Sequence, residues 1–314
     1  MRAEGQPSRS VRMESENEEN DLFGKRQNNP FDARGKWLKG ALHTHTTGSD
    51  GELTPDELSA AYREQGFDFV CLTDHLKVTP CENPPAGLLV MSGYELPVTT
   101  HAPERYWHFV AIGADEITRT EFSSALDAFA HLRKTAPFVM LAHPYWSNVT
   151  GRDLMEFDGL DAVEVYNTRS EFRVGRGYAE YPWDFCLSSG VRLPAVAADD
   201  THVRREVGRA WVMVRTADAT PDGILRAVRE GMFYSTCGPE IRNVETSPDG
   251  LRVEMSPCDE AHFVASDQKG ARIVAEGEPG LTSASYLFRG PEKYVRVECV
   301  DRFRRKAWTN PFYR

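Results

Sequence analysis

The sequence predicts an α/β protein: a parallel sheet closed into a barrel, with a small antiparallel β domain behind it. Three observations carry this. Short apolar runs, many of them β-branched, alternate with amphipathic stretches from Trp37 onward, and strand–helix alternation over about 180 residues implies a parallel sheet. Most of those runs end on a histidine or a carboxylate, as expected where the carboxyl ends of parallel strands share one mouth. After about residue 240 the helical period disappears and short alternating segments follow, the pattern of an antiparallel sheet.

Taken in order, residues 1–34 (MRAEGQPSRSVRMESENEENDLFGKRQNNPFDAR) are polar and charged with almost no apolar period, and read as a disordered leader. The barrel is expected over 35–240. Its strands are WLKGALHTH, FDFVCLTDH, GLLVMSGYE, YWHFVAIG, FVMLAH, LDAVEVYN, LPAVAADD and RAWVMVRT. Between them TPDELSAAYREQ opens as a helix, with Thr54 as N-cap, Pro55 at the first helical position and Glu57 completing a capping box. EFSSALDAFAHLRK carries Phe122, Leu126 and Phe129 at helical spacing, and TPDGILRAVREG repeats the Thr-Pro start and ends on Gly231. In 241–314, IRNVETS, LRVEMSP, AHFVASD, SASYLFRG and YVRVECVD read as strands of the β domain.

The formal charge is -10 over 314 residues. That balance argues against a large duplex nucleic-acid surface and against a polybasic membrane surface, since both need clustered Lys and Arg. Small soluble ligands fit better. No apolar run approaches the roughly 20 residues needed to span a bilayer, and the N-terminus lacks a signal-peptide core, so a cytoplasmic location is expected. The six cysteines are scattered with no C-x-x-C pair, which predicts reduced, mostly buried thiols.

The chemistry lies at the strand ends. His43 and His45 follow the first strand, His75 the second, Glu95 the third, His143 the fifth, Asp200 and His202 the seventh, while His108 lies within the fourth and Asp50 closes HTHTTGSD. Imidazole and carboxylate together suit borderline divalent metals such as Zn, Mn or Fe, and a set this large needs two or three ions. A single strand-end histidine has duller explanations; the convergence of the set is what predicts a metal site.

These stretches resemble a known family. HTHTTGSDG, CLTDH, Glu95 in SGYE, His108 in WHFVAIG, LAHPYW and AADDTH are similar, in order, to the motifs of the PHP (polymerase and histidinol phosphatase) metallohydrolases. GMFYSTCGPEI, YVRVECVD and AWTNPFYR further resemble its carbaryl-hydrolase-like (CehA/McbA) branch. The resemblance implies a distorted (β/α)7 barrel with up to three divalent ions: His43, His45, Glu95 and Asp200 on the first, Glu95 bridging to a second with His108 and His143, and Asp50, His75 and His202 on a third. Other members carry His where this chain has Asp50, and the D-x-H spacing favours Asp200 over its neighbour Asp199 as the ligand.

A phosphoesterase acting on a small phosphomonoester or phosphodiester follows, with a hydroxide held between the ions attacking phosphorus. The negative net charge does not oppose this, because surface charge is screened over about 8 Å while bound ions act at contact distance. The alternative is an esterase or amidase acting on carbamates or aryl esters. His101, in the loop between Glu95 and His108, is a candidate proton donor and competes with His108 as a ligand; the strand-like HFVAIG favours His108. Arg169, Arg204, Arg205 and Arg152 are candidates to hold the phosphoryl group. Tyr145, Trp146 and Tyr166 could line a pocket for an aromatic or nucleoside group, or pack under the loops. His131 and His262 have no partner motif and are expected to be structural.

Overall fold

A computed structural model describes residues 29–98 and 105–314. Its elements run β1 (Lys36–Ala41), α1 (Pro55–Glu64), β2 (Phe69–Leu72), β3 (Leu89–Val98), β4 (Trp107–Ile112), α2 (Ala125–Thr135), β5 (Phe138–Leu141), α3 (Gly151–Leu154), β6 (Ala162–Asn167), α4 (Thr168–Val174), α5 (Glu180–Ser188) and β7 (Ala195–Ala198). There follow a 3-10 turn (Arg204–Glu206), β8 (Trp211–Thr216), α6 (Pro221–Arg229) and β9 (Phe233–Thr236). The remainder is all strand: β10 (Ile241–Ser247), β11 (Gly250–Cys258), β12 (Glu260–Ala265), β13 (Gly270–Val274), β14 (Leu281–Leu287), β15 (Tyr294–Val300), β16 (Lys306–Thr309) and β17 (Phe312–Tyr313).

Strands β1 to β7 lie side by side in chain order. The all-parallel sheet expected from the alternation is instead mixed. β1, β2 and β3 are parallel, as are β5, β6 and β7, but β4 runs antiparallel to β3 and to β5, and β8 antiparallel to β1. A parallel return needs a crossover of a dozen or more residues, and the chain from Val98 to Trp107 is too short to supply one. The two ends of the run meet: Thr44 and Thr201 form a parallel bridge, His45 N donates to Thr201 O (2.8 Å) and Asp200 N donates to His43 O (3.0 Å).

The buried strands explain the sequence pattern. β2 (FVCL), β5 (FVML) and β7 (AVAA) are buried at every position. Phe69 and Cys71 pack with Met140, Val196 and the α6 residues Ile224 and Val228, whereas Val70 and Leu72 pack against Leu58 and Tyr62 of α1. Burying each large apolar side chain contributes about 1.5–3 kcal/mol. α1 starts as the sequence predicts: Thr54 accepts from Glu57 N, Glu57 reaches back to the Thr54 backbone, and Pro55 follows the cap.

The C-terminal strands are joined to this sheet. β16 pairs with β9 and β15, so the order β13-β12-β15-β16-β9-β8-β1 is continuous. β10, β11 and β14 form a second sheet, and Val244, Val253, Phe263, Tyr286 and Val297 fill the core between the two. Ordered structure also starts ahead of residue 35: Asn29 is buried and donates to Val244 O at 2.9 Å, and Phe31 stacks on Tyr234. Of the predicted leader, residues 1–28 lie outside the described residues. The six cysteines are free, five of them buried. No helix among the described residues is long and apolar enough to cross a membrane.

Candidate metal centre

Glu95 is the hub. This carboxylate, 1% exposed, sits where β3 pairs with β4, opposite Val110. Its Oε2 lies 3.2 Å from His43 Nε2, 3.1 Å from His45 Nε2 and 3.2 Å from His75 Nδ1. Its Oε1 lies 2.8 Å from His108 Nδ1 and 3.2 Å from His143 Nε2. Asp200 Oδ1 closes the first group at 3.2 Å from His45 Nε2 and 3.5 Å from His43 Nε2. Asp50 Oδ2 stands 3.1 Å from His202 Nε2 and 3.9 Å from His75 Nε2. All nine residues singled out in the sequence are therefore neighbours.

Their donor atoms fall into three groups that could each hold an ion: His43, His45, Glu95 and Asp200; His75, Glu95 and His108; and His45, Asp50, His75 and His202. His75 thus faces two groups and His45 two, while His143 approaches Glu95 alone. Two ligand atoms test the fit. His75 Nδ1 and Asp200 Oδ1 are buried with no hydrogen-bond partner, and an orphaned buried donor or acceptor costs about 1–3 kcal/mol unless something else satisfies it. A divalent ion would satisfy both.

The surrounding residues fix the rings. His43 donates from Nδ1 to Glu164 Oε1 at 2.6 Å, leaving Nε2 free to ligate. Glu164 Oε2 also accepts from His143 N and from Asn167 Nδ2, each at 2.8 Å. His202 donates from Nδ1 to the Asp200 carbonyl at 2.9 Å, and His143 Nδ1 pairs with Ser147 Oγ at 2.9 Å. His143 (φ 31°) and Asp200 (φ 52°) both occupy left-handed backbone, strain of the kind stored at functional sites. Asp200 turns into the cluster. Asp199 turns away, accepting from Tyr62 Oη and from the amides of Gly208, Arg209 and Ala210 at 2.6–2.9 Å.

The carboxylates are held in the charged form a cation needs, while His43 and His45 hold protons that a bound cation would displace. Burial disfavours charge on Glu95, yet His43 and His108 outweigh it and hold its carboxyl well below the usual range. Burial likewise opposes charge on Asp200, and His43 and His45 reverse it. In return burial is overcome at His45 by Asp200 and Glu95, raising it to about 9, and His43 is raised too. At His75 burial wins and the pKa falls. Asp199, buried among amides, is pushed up to about 7 by burial.

The cluster floors a cavity of about 150 Å³ lined also by Trp146, Arg169, Ser170 and Arg173. Arg169 Nη1 pairs with Glu206 Oε1 at 2.9 Å. Several expected contributors lie elsewhere, Arg204 first. Arg204 is exposed in the 3-10 turn and does not line the cavity; its neighbour is Glu57 of α1. The chain between Asp200 and the turn is pinned by His202 N and Val203 N donating to Glu206 Oε2, which directs the Arg204 side chain outward. Arg152 and Arg205 are exposed and also absent from the lining, and Tyr166 lines a different cavity. His101 lies outside the described residues. His131 bonds Thr118 Oγ1 (3.0 Å), and His262 bonds Glu260 (2.6 Å), both away from the cluster. Glu164 and Arg173 carry no sequence signal of their own: one is a polar residue in a buried strand, the other a helix arginine among several.

A family described as PHP-associated matches residues 188–233, the stretch that carries Asp200 and His202. In solved structures the chain is similar to a two-domain protein from Bacteroides vulgatus containing a predicted PHP-like metal-dependent phosphoesterase, at 18% identity and TM-score 0.52, over 85% of this chain and 91% of that one. The likeness is one of fold. An amidohydrolase from Chromobacterium violaceum with bound sulfate and no metal aligns at 15% identity and TM-score 0.40, over 52% of this chain and 87% of the other. A lesion-specific endonuclease from Pyrococcus furiosus aligns at 14% and 0.42, over 62% and 56%. None of the curated proteins matches the sequence.

Proposed function

We propose that the chain is a PHP-superfamily metal-dependent hydrolase of the carbaryl-hydrolase-like branch, a phosphoesterase acting on a small phosphomonoester or phosphodiester, with β1 to β7 as its distorted barrel. The observation that carries the reading is Glu95, one buried carboxylate with imidazoles on both oxygens. That is the arrangement of a ligand shared between two ions. The matched PHP-associated segment and the fold shared with the Bacteroides vulgatus protein support it. So does the placement of GMFYSTCGPEI, YVRVECVD and AWTNPFYR on the adjoining strands β9, β15, β16 and β17.

In this reading His43, His45, Glu95 and Asp200 hold one Mn, Zn or Fe ion, Glu95, His108 and His143 a second, and Asp50, His75 and His202 a third. Divalent ions bound there supply Lewis acidity and lower the pKa of a coordinated water toward roughly 7. The chain's own residues do the rest. Arg169, steadied by Glu206, and Arg173, which has no carboxylate partner among the described residues, bind phosphoryl oxygens at the mouth. Trp146, whose ring lies 5.0 Å from His143 and 5.7 Å from His108, walls the pocket against solvent. His101 is the proposed proton donor to the leaving group.

Chelation followed by refilling with Mn, Zn or Fe tests this. Activity on p-nitrophenyl phosphate is expected to vanish and return with metal. Hydrolysis of p-nitrophenyl acetate alone by the refilled protein would move the assignment to the esterase or amidase class. A fully loaded protein inert on a panel of phosphate esters would sink it.

A further inference from the structure

A second cavity, of about 600 Å³, adjoins α4. That helix gives Arg169, Ser170 and Arg173 to the histidine pocket and Glu171 and Phe172 to this one. The cavity lies where the strands of the barrel meet the C-terminal strands. Tyr166 on β6, Trp211 on β8, Cys237 after β9 and the turn from Phe303 to Lys306 all line it. Its volume is within the roughly 300–1,000 Å³ of sites for small organic ligands, and such sites favour junctions of this kind.

Its walls are aromatic and firmly backed. The Tyr166 and Tyr178 rings are 4.8 Å apart, and both pack on the buried Trp308, at 6.0 and 6.2 Å. Phe172 and Phe303, 48% and 64% exposed, stand beside the opening. Apolar rings held out in water in this way leave stacking surface unused.

The charges select the ligand's sign. Arg304 is paired with Glu260 (2.6 Å), Arg305 with Asp301 (2.7 Å) and Lys306 with Glu180 (2.6 Å). Arg209 is different: its Nε donates to the Arg205 carbonyl at 3.0 Å, and no carboxylate pairs with it among the described residues. The acid in the lining, Glu171, keeps its charge but is turned to the Gly177 amide, from which it accepts at 3.0 Å, and it forms no ion pair with Arg209. One guanidinium therefore lines an aromatic cleft with no carboxylate bonded to it.

We propose that this cavity is a second binding site, separate from the metal centre, for a planar aromatic anion. The ring stacks against Tyr166 and Tyr178 under Phe303, and the anionic group is held by Arg209. Aryl carboxylates and nucleoside monophosphates share this chemistry. The inference does not depend on the metal reading.

The test uses the full chain stripped of metal, so that no probe is consumed, and calorimetric titration with 2-naphthoate, with adenosine 5′-monophosphate and with the uncharged 2-naphthalenemethanol. One or both anions should bind at one site per chain, naphthoate alone marking an aryl acid site and the nucleotide alone a nucleotide site. Arg209→Gln should weaken binding about tenfold, as loss of a charge-assisted bond does, and Phe303→Ala roughly fivefold. Both side chains are exposed, and unchanged melting temperatures will show that the variants fold. His108→Ala, in the metal cluster, should leave binding unchanged. Absence of saturable binding by either anion, equal binding of the neutral probe, or loss of binding in His108→Ala but not in Arg209→Gln would overturn the proposal.

Discussion

Adjacent aspartates in AADDTH do opposite jobs, and the difference is backbone direction. Asp200, at φ 52°, faces the imidazoles, while Asp199 accepts three loop amides. Asparagine tolerates left-handed backbone well, so Asp200→Asn is expected to fold normally and to lose metal at the first site, measured by elemental analysis beside a melting curve. Asp199→Ala strands those amides without an acceptor. It should cost roughly 3 kcal/mol in urea unfolding, before any loss of chemistry. Glu164 gives the sharper prediction. Removing it in Glu164→Ala frees the His43 ring and should lower metal affinity 10- to 100-fold, as loss of a ligand's orienting partner does; unchanged affinity by calorimetry would refute its role. At this scale the cluster was legible because so many histidines and carboxylates fall at strand ends together, although each alone has a duller explanation. Glu164 was not, since its function exists only once β1 and β6 have brought it to His43.

Among the elements, the turn after β1 sets the position of Asp50. Thr46 N, Thr46 Oγ1 and Ser49 Oγ all donate to Asp74, at 2.6–2.7 Å. Gly48 lies so close that a Cβ there would stand 2.3 Å from Thr79 Oγ1 and 2.5 Å from Asp74 Oδ2. Gly48→Ala should therefore push Asp74 off its three partners and move Asp50. The expected result is weaker metal binding in the Asp50, His75 and His202 group, with the other groups retained, resolved by stepwise metal titration. At α1, Thr54→Ala removes the cap seen at Glu57 N and should cost about 1 kcal/mol. The capped helices and the eight early strands were legible because period and cap chemistry are local. The reversed direction of β4 and the helices α3 to α5 were not: the first depends on loop length, α3 and α4 are too brief to show a period, and α5, as long as α6, has no side-chain cap.

For the whole molecule, charge is buried outside the histidine cluster as well. Arg296, 1% exposed, pairs with Asp184 and Glu298 at 2.6 Å, and Glu298 also meets His262 and Lys306. Burial opposes the Glu298 charge, but Arg296, His262 and Lys306 depress its pKa below 4.5. That contribution to stability is present above about 4.5 and is lost as pH falls. His262 is raised above 6.5 by Glu298 against burial, with help from Glu260. Its contribution is present below about 6.5 and is lost as pH rises through the higher folded value. The two overlap between about 4.5 and 6.5, and His262→Gln should flatten the alkaline side of a urea-midpoint profile most, with a smaller loss on the acid side where Arg296 and Lys306 still hold Glu298 down. A change confined to the acid side would contradict this assignment. The continuous sheet that joins these strands to β1–β8 was hidden from the sequence, because pairing between segments as far apart as Tyr234–Thr236 and Ala307–Thr309 leaves no mark on either.

That pairing has a consequence for how the protein is made. During synthesis β9 emerges with its outer edge bare, and its partner β16 is translated only after β10 to β15. Until then the nascent chain displays an unpaired strand edge that a neighbouring polypeptide can capture. Newly made chains thus carry this edge open to clumping in the interval between translation of Thr236 and translation of Thr309.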